Sequence, residues 1–251
     1  MRQYYVGVST SEDKLTTLVE LLQALQADGS GAALAVAVAC GARDSLDQVV
    51  AALAACGTFA LAVLHADLSM SEIERQVAQL KERAQAQAQQ QEERQEQQPE
   101  GAAGALEPQA PGGPGAQQDG QRRRQQQVEA AESVGAGGGG GGEGEGRAAA
   151  ACPSGRASLV LATTDVCLKA LPKELLPIGL PLLIQYDIPT SKDAFTRRVS
   201  SVFGGSKERR RAQRCVVIDF VVAGELPAFR ARERFSTAPV LEMPVHVPDI
   251  L

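Results

Sequence analysis

The sequence of 251 residues lacks the side-chain patterns that hold structural metals or build disulfide frameworks. Its five cysteines form no CxxC pair, and its two histidines, His65 and His246, lie far apart in the chain. A structural zinc site needs several closely spaced ligands, and a disulfide scaffold needs an even set of cysteines in a small secreted domain. We therefore expect neither a bound metal nor a disulfide-stabilised fold.

The sequence also lacks a segment that would direct it into or across a membrane. Met1 is followed at once by RQYYVGV, without the positively charged and apolar regions of a secretory signal. The longest apolar stretch, residues 32–40, is too short to cross a bilayer. We expect a cytoplasmic or nuclear protein with no membrane partner. The net charge of -5 argues against a general nucleic-acid binder, and no DNA partner is expected. A local basic face is still compatible with this net charge.

Large apolar side chains are almost absent from the middle of the chain. Residues 84–156 consist almost entirely of Gln, Glu, Arg, Ala, Gly and Pro and include the run GAGGGGGGEGEGR. Such a segment cannot bury enough apolar surface to offset the entropy lost on ordering. We predict a disordered Gln/Gly-rich insert, helical in part where Gln dominates. The folded domain then consists of residues 1–83 and 157–251.

Outside this insert, short β-rich runs alternate with segments of helical period. The predicted strands are residues 3–8, 34–39, 58–65, 158–165, 182–187 and 214–222. Helices are predicted after the first three strands, at about residues 191–201 and at about residues 225–235. The first helix opens with Ser9 three residues before Glu12, the spacing of a capping box. Continuous apolar strands separated by helices predict a doubly wound α/β fold with a mostly parallel sheet.

In such folds, ligands bind in the loops beyond the carboxyl ends of the strands. Those loops carry HAD at 65–67, TTDVCLKALP at 163–172 and QYDIPTSKDAFTRR at 185–198. Together with the opening RQYYVGV and the closing LEMPVHVPDIL, and in this order, they resemble the C-terminal RecA-like domain of DEAD-box RNA helicases. The initiation factor 4A branch is the most similar, and the resemblance covers nearly the whole folded part. It implies a role in RNA metabolism or translation.

The resemblance also implies an arginine clamp, which the sequence has largely lost. Aligned from YDIPT, the first clamp arginine of the family falls on Arg198, the second on Ser201, and the third on Gly204 or Val202. Arginine fingers that stabilise phosphoryl transfer are commonly worth about 10³ to 10⁵ in rate, and a serine hydroxyl carries no charge. Arg198 is thus the residual catalytic and nucleotide-binding candidate. A helical arginine is also a common partner in a surface ion pair.

The RNA-contacting residues implied by the family fall on Thr163, Thr164 and Lys169. The two threonines could equally cap the turn that follows their strand. Arg209, Arg210 and Arg211 lie in the basic run KERRRAQR at 207–214, which could grip a phosphate backbone or form a solvated loop. The RNA partner is expected to bind weakly and without sequence preference.

The chain contains neither GxxxxGK[ST] nor Asp-Glu-Ala-Asp, the family elements that cradle ATP and hold magnesium. We therefore expect no cofactor for the chain alone, and ATP with magnesium only if a partner N-terminal RecA domain is supplied. Three hypotheses follow. The chain is a diverged helicase C-terminal domain that is not a self-sufficient ATPase, or one half of an ATP-dependent RNA helicase, or a protein-interaction module that docks helical-repeat scaffold proteins.

Overall fold

The computed structural model describes residues 1–26, 34–97, 158–204 and 215–250, and these residues alternate between strands and helices as predicted. They all belong to one compact unit, Met1–Gln97 together with Ala149–Leu251. The strands are β1 (Arg2–Val8), β2 (Ala35–Cys40), β3 (Phe59–Leu64), β4 (Ser158–Thr164), β5 (Leu182–Gln185), β6 (Val216–Val222) and β7 (Leu241–Glu242).

Within this described part, the seven strands form one sheet in the order β3-β4-β2-β5-β6-β1-β7. All neighbouring strands are parallel. Strands β2, β4, β5 and β6 are buried along their whole length, because helices cover both faces of the sheet. The predicted doubly wound α/β fold is confirmed.

Five of the six helices in the described ranges lie close to their predicted positions, and the short helix directly after β4 was not predicted. The six helices are α1 (Asp13–Gln26), α2 (Arg43–Cys56), α3 (Met70–Gln97), α4 (Asp165–Ala170), α5 (Lys192–Phe203) and α6 (Leu226–Glu233). Single 3₁₀ turns lie at Lys173–Leu175, Ala223–Glu225 and Val247–Ile250.

Two apolar clusters flank the sheet. On one face, Leu18 and Leu22 of α1 and Leu46 of α2 pack against alternate residues of the central strands. On the other face, apolar side chains of α3, α4 and α5 pack against the strand residues that lie between those alternate positions and point to the opposite side of the sheet. The strand alternation therefore assigns one set of side chains to each cluster.

The start of α1 differs from the sequence prediction. Thr10 Oγ1 accepts a hydrogen bond from Asp13 N at 3.2 Å and lies 2.8 Å from Asp13 Oδ2. The helix therefore begins at Asp13 with Thr10 as its cap, and the predicted pairing of Ser9 with Glu12 is wrong by one residue. Both pairs have the capping spacing, and the sequence alone does not rank them.

Helix α3 is longer than its apolar stripe suggests. Its last contact with the core in the described side chains is Ala84, which packs against the cluster on that face. The helix continues to Gln97 because the intervening residues are helix formers, without Gly or Pro. Residues 98–157, most of the predicted insert, lie outside the described residues, and the division into domains stays a prediction. No helix in the described ranges is long and apolar enough to cross a membrane.

Candidate functional site

The carboxyl ends of the central strands gather charged and polar side chains from several loops. Thr164 ends β4, Gln185 ends β5, and Asp165 and Asp187 follow these strands closely. Helix α5 brings Arg198 to the same edge, where it contacts residues of both loops. This is the edge where doubly wound folds bind their ligands, and we examine it as the candidate site.

Arg198 lies inside this edge and not on its surface. Its guanidinium makes a two-point ion pair with Asp165, with Nε donating to Oδ1 and Nη2 to Oδ2, both at 2.7 Å. Its Nη1 donates to the carbonyl oxygen of Asp187 at 2.6 Å and to Gln185 Oε1 at 3.3 Å. The side chain is 1% exposed. The expectation of a surface ion pair is therefore wrong in its location, because this ion pair is buried on the arginine side.

The same contacts bear on the predicted role of Arg198 toward a nucleotide. Most of its N–H groups already have protein acceptors, and two of them bind one carboxylate. To reach a phosphate, Arg198 would have to leave Asp165 and expose it unpaired. The nucleotide-binding role of Arg198 stays a prediction, and the geometry shows an arginine that binds its own domain.

The other clamp positions also face the domain. Ser201, which stands where the family has an arginine, is 1% exposed. Val202, the alternative third clamp position, is fully buried. Gly204 ends α5 with φ of 92°, and an added Cβ would lie 3.1 Å from Pro177. A bulky charged side chain would not fit at Gly204 without a shift of Pro177.

The predicted RNA contacts separate into buried and exposed residues. Thr163 lies within β4 and is fully buried, and Thr164 is 6% exposed and caps α4 by accepting from Cys167 N at 3.4 Å. Lys169, in the last turn of α4, is exposed. Of these three, only Lys169 offers a charge to solvent in this structure. Arg209, Arg210 and Arg211 lie outside the described residues, so their predicted role is untested.

Lys14 is a component of this edge that the sequence did not reveal. Its Nζ lies 3.2 Å from Asp187 Oδ1, 3.7 Å from Glu225 Oε2 and 4.9 Å from the centre of the Tyr186 ring. Asp187 Oδ2 also accepts from Gly41 N at 2.8 Å. Lys14 and Asp187 together connect the first turn of α1 with the loops after β2 and β5. No local signal marks Lys14, because its partners are distant in sequence.

A second buried ion pair lies deeper, between β6 and α6. Arg232 Nε is 2.8 Å from Asp219 Oδ2, and neither side chain is exposed. The Nε–H bond is not directed at that oxygen, so the contact is an ion pair and not a well-formed hydrogen bond. Burial raises the pKa of Asp219 to about 6, against the opposing effect of Arg232. The sequence marks Asp219 itself, as a charge inside the apolar run VVIDFVV, but does not mark its partner Arg232.

The end of the sheet at β3 carries a separate, exposed group of charges. Arg43 donates to Asp47 at 2.8 Å and to Asp67 at 2.7 Å, and His65 Nδ1 lies 3.5 Å from Asp67. Exposed ion pairs of this kind contribute little to stability. No group of three or more His, Cys, Asp or Glu side chains in the described ranges is placed to hold a metal ion.

Comparisons with known proteins agree with this fold. The sequence is 30% identical over 95 residues to the ATP-dependent RNA helicase FAL1 of Mycosarcoma maydis, a match that covers 38% of this chain and 21% of the relative. It is 27% identical over 97 residues to eukaryotic initiation factor 4A-3 of Nicotiana plumbaginifolia, covering 39% and 22%. The matches thus span about a fifth of the length of these curated relatives. The sequence matches no protein-family model.

Similarity to solved structures extends over nearly the whole chain. The C-terminal domain of the DEAD-box protein Dbp5 is similar with a TM-score of 0.56 and 15% identity, covering 100% of this chain and 96% of that one. The DEAD-box protein SrmB of E. coli, solved in complex with the regulator of ribonuclease activity A, has a TM-score of 0.51 and 14% identity, covering 98% and 91%. The fold is that of a DEAD-box helicase C-terminal domain, and the resemblance to the initiation factor 4A branch is confirmed.

Proposed function

We propose that this chain acts as a diverged helicase C-terminal domain in RNA metabolism or translation, in the cytoplasm or nucleus, by weak RNA binding and without ATPase activity of its own. The observation that carries this proposal is the inward position of Arg198. In a nucleotide clamp this arginine would face the phosphates, and here it holds Asp165 and the Asp187 carbonyl.

The proposal excludes independent turnover for two reasons that support each other. The sequence contains neither of the family's phosphate and magnesium motifs, so ATP and magnesium would bind only with a partner RecA domain supplied. The clamp positions that do lie in this chain are occupied by a buried serine and an internally paired arginine. This chain therefore supplies neither the phosphate-binding and magnesium-binding groups nor the clamp arginines that stabilise phosphoryl transfer.

Weak RNA binding is supported by the charges that remain available. Lys169 is exposed at the candidate site, and the basic run 207–214 adds several cations to the chain. Few phosphate contacts produce affinities typical of non-specific complexes, with dissociation constants of about 10⁻⁴ to 10⁻⁶ M at physiological salt. Such binding ignores sequence and weakens steeply as salt rises.

Two measurements on the purified chain test this function. Fluorescence anisotropy with an unstructured RNA at two ionic strengths should show weak binding that falls with salt. ATP hydrolysis, with and without this RNA, should match a mock-purified control. Turnover that magnesium chelation abolishes would overturn the proposal, as would tight binding that is insensitive to salt.

A second candidate, a module that docks a helical-repeat scaffold protein, is favoured by a groove beside β7. The groove has a volume of about 730 Å³ and is lined by residues of β1, β6 and α6, including Tyr5, Val221 and Phe229. Leu226 and Leu241 are half exposed at 50% and 55%. Apolar side chains exposed beside a groove are typical of protein contact sites. A Leu226→Asp variant that loses capture of a purified scaffold partner, while RNA binding persists, would favour this candidate.

A third possibility is that the chain works as one half of an ATP-dependent RNA helicase. The sequence similarity to the ATP-dependent RNA helicase FAL1 supports this hypothesis. A reading frame immediately upstream that encodes the phosphate-binding and Asp-Glu-Ala-Asp motifs would establish it and would replace the leading proposal. Activity restored by adding an N-terminal RecA domain in trans would have the same consequence.

A further inference from the structure

The ion pair of Asp219 and Arg232 is connected to the rest of the domain through two glutamines. Gln185 Nε2 donates to Asp219 Oδ1 at 2.6 Å, and Arg232 Nη1 donates to Gln3 Oε1 at 2.8 Å. All four side chains are at most 2% exposed. Gln185 and Asp219 are neighbours in the register of β5 and β6, so the sheet itself places them side by side.

Each glutamine continues the contacts to a different part of the surface. Gln185 Oε1 accepts from Arg198, which holds Asp165 at the start of α4. Gln3 Nε2 donates to Ser236 Oγ at 2.9 Å and to the Ala238 carbonyl oxygen at 3.1 Å, in the segment that follows α6. We call the six side chains the buried polar network: Asp165, Arg198, Gln185, Asp219, Arg232 and Gln3.

The charges of the central pair determine which way each amide group faces. Ionised Asp219 only accepts hydrogen bonds, so Gln185 must present its NH₂ group to it and is left with its carbonyl oxygen toward Arg198. Arg232 only donates, so Gln3 must present its carbonyl oxygen and is left with its NH₂ group toward the segment after α6. A reversed amide at either position would place two donors or two acceptors face to face.

Stability alone is a poor explanation for this pair. Removing two charges from water is unfavourable, and apolar replacements of buried ion pairs are often neutral or stabilising. Arg232 Nη2 lacks a hydrogen-bond partner in the described part of the chain, although the guanidinium carbon lies 4.5 Å from the centre of the Phe195 ring. A buried pair with these costs is better explained by the geometry it imposes on its neighbours.

We propose that Asp219 and Arg232 are positioning residues that orient Gln185 and Gln3, and thereby fix both the Asp165 end of α4 and the segment at Ser236–Ala238. The start of α4 and residues 236–238 lie at opposite ends of the buried polar network. Within the network, these two ends are connected only through the pair of Asp219 and Arg232. The consequence for nucleic acid rests on the proposed function, because α4 carries the exposed Lys169.

The test compares an apolar exchange with a cavity-forming control. Asp219→Val combined with Arg232→Met removes both charges and changes the summed side-chain volume little, but it leaves the amides of Gln185 and Gln3 without these partners, so the melting temperature should fall only modestly. Amide hydrogen exchange should nevertheless become about tenfold faster at both 165–170 and 236–242, where hydrogen-bonded contacts have lost their fixed orientation. Val217→Ala, two residues away in the same buried strand, should lower the melting temperature without this paired local effect.

Unchanged protection at both ends in the folded double variant would overturn the proposal, and so would an effect at one end only. Asp219→Asn, nearly identical in shape but able to donate as well as accept, tests the same point if the double variant does not fold. Fluorescence anisotropy with RNA on the same variants separates the positioning role from the proposed RNA-binding function. Loss of affinity in the double variant supports the positioning of Lys169, and absence of RNA binding by the wild type refutes the proposed function while hydrogen exchange still decides the positioning role.

Discussion

Arg198 and Asp165 bind each other through two parallel hydrogen bonds of 2.7 Å, which makes this arginine a link between α5 and the start of α4. Planar two-point contacts of this kind fix geometry as well as charge. The candidate site is consequently an edge whose strongest cation is already bound by the protein. A ligand bound at this edge would meet the remaining exposed groups, above all Lys169.

Arg198→Ala should destabilise the fold by about 2 to 4 kcal/mol, because it leaves Gln185 and Asp165 without their partner in a largely buried setting. Chemical denaturation followed by circular dichroism measures this. Arg230→Ala is the matched control, since Arg230 pairs with Glu233 on the surface at 3.0 Å and its side chain is 67% exposed. That loss should stay within about 0.5 kcal/mol. Equal effects for both variants would contradict the buried role of Arg198.

Lys14→Met should also destabilise, by about 1 to 3 kcal/mol, because Asp187 and Glu225 lose the cation between them. Methionine keeps an unbranched apolar side chain of similar length, so the change mainly removes the charge. Lys173→Met, at an exposed lysine, is the control and should change the melting temperature very little. A neutral result for Lys14→Met would show that the start of α1 and the loops after β2 and β5 are held together by packing alone.

The strands were predictable because their apolar runs carry the signal locally. The run RCVVIDFVV at 214–222 predicted β6 within two residues of its observed bounds, and the alternation with helices predicted the parallel sheet. The role of Asp219 within that run depends on Arg232 and Gln185, which other elements of the chain bring to it. Pairings of this range are a property of the fold and leave no pattern in the neighbouring residues.

The candidate site was predictable in its place and not in its contacts. The sequence located Thr163, Thr164 and Arg198 at the carboxyl edge, where the structure has them. Their exposure could not be read from the sequence, because burial of Thr163 and Arg198 depends on how α4 and α5 pack together. The capping interpretation of Thr164 was available from its position after a strand, and the structure has that contact.

Deleting residues 87–155, with a short Gly/Ser bridge, should leave a cooperative thermal transition close to that of the full chain. The deletion keeps Ala84, the last described core contact of α3, and loop closure costs little for long surface insertions. Calorimetry of both proteins measures the effect. Loss of the cooperative transition would show that the predicted insert is part of the domain. Deletion from residue 81 onward is the contrasting variant and should be more destabilising.

Replacing Arg209, Arg210 and Arg211 together by alanine should flatten the salt dependence of RNA binding. Each phosphate contact with single-stranded nucleic acid contributes about 0.7 to the slope of log affinity against log salt, so three lost contacts reduce it by about 2. Lys169→Ala should reduce it by less than about 1 for the same reason. Anisotropy titrations at several salt concentrations give these slopes. An unchanged slope in the triple variant would place the RNA contacts elsewhere.

The last prediction concerns the pH dependence of stability through Asp219. Burial raises its pKa to about 6, although Arg232 and Arg198 oppose the shift and Gln185 donates to it. An unfolded aspartate titrates near pH 4, so between about pH 4 and 6 the folded state binds the extra proton. Its contribution to stability is thus present at low pH and is lost as the pH rises to about 6. The melting temperature of the wild type minus that of Asp219→Asn should therefore fall over this range and level off above it. A difference that increases with pH would mean that Arg232 outweighs burial and lowers the pKa of Asp219.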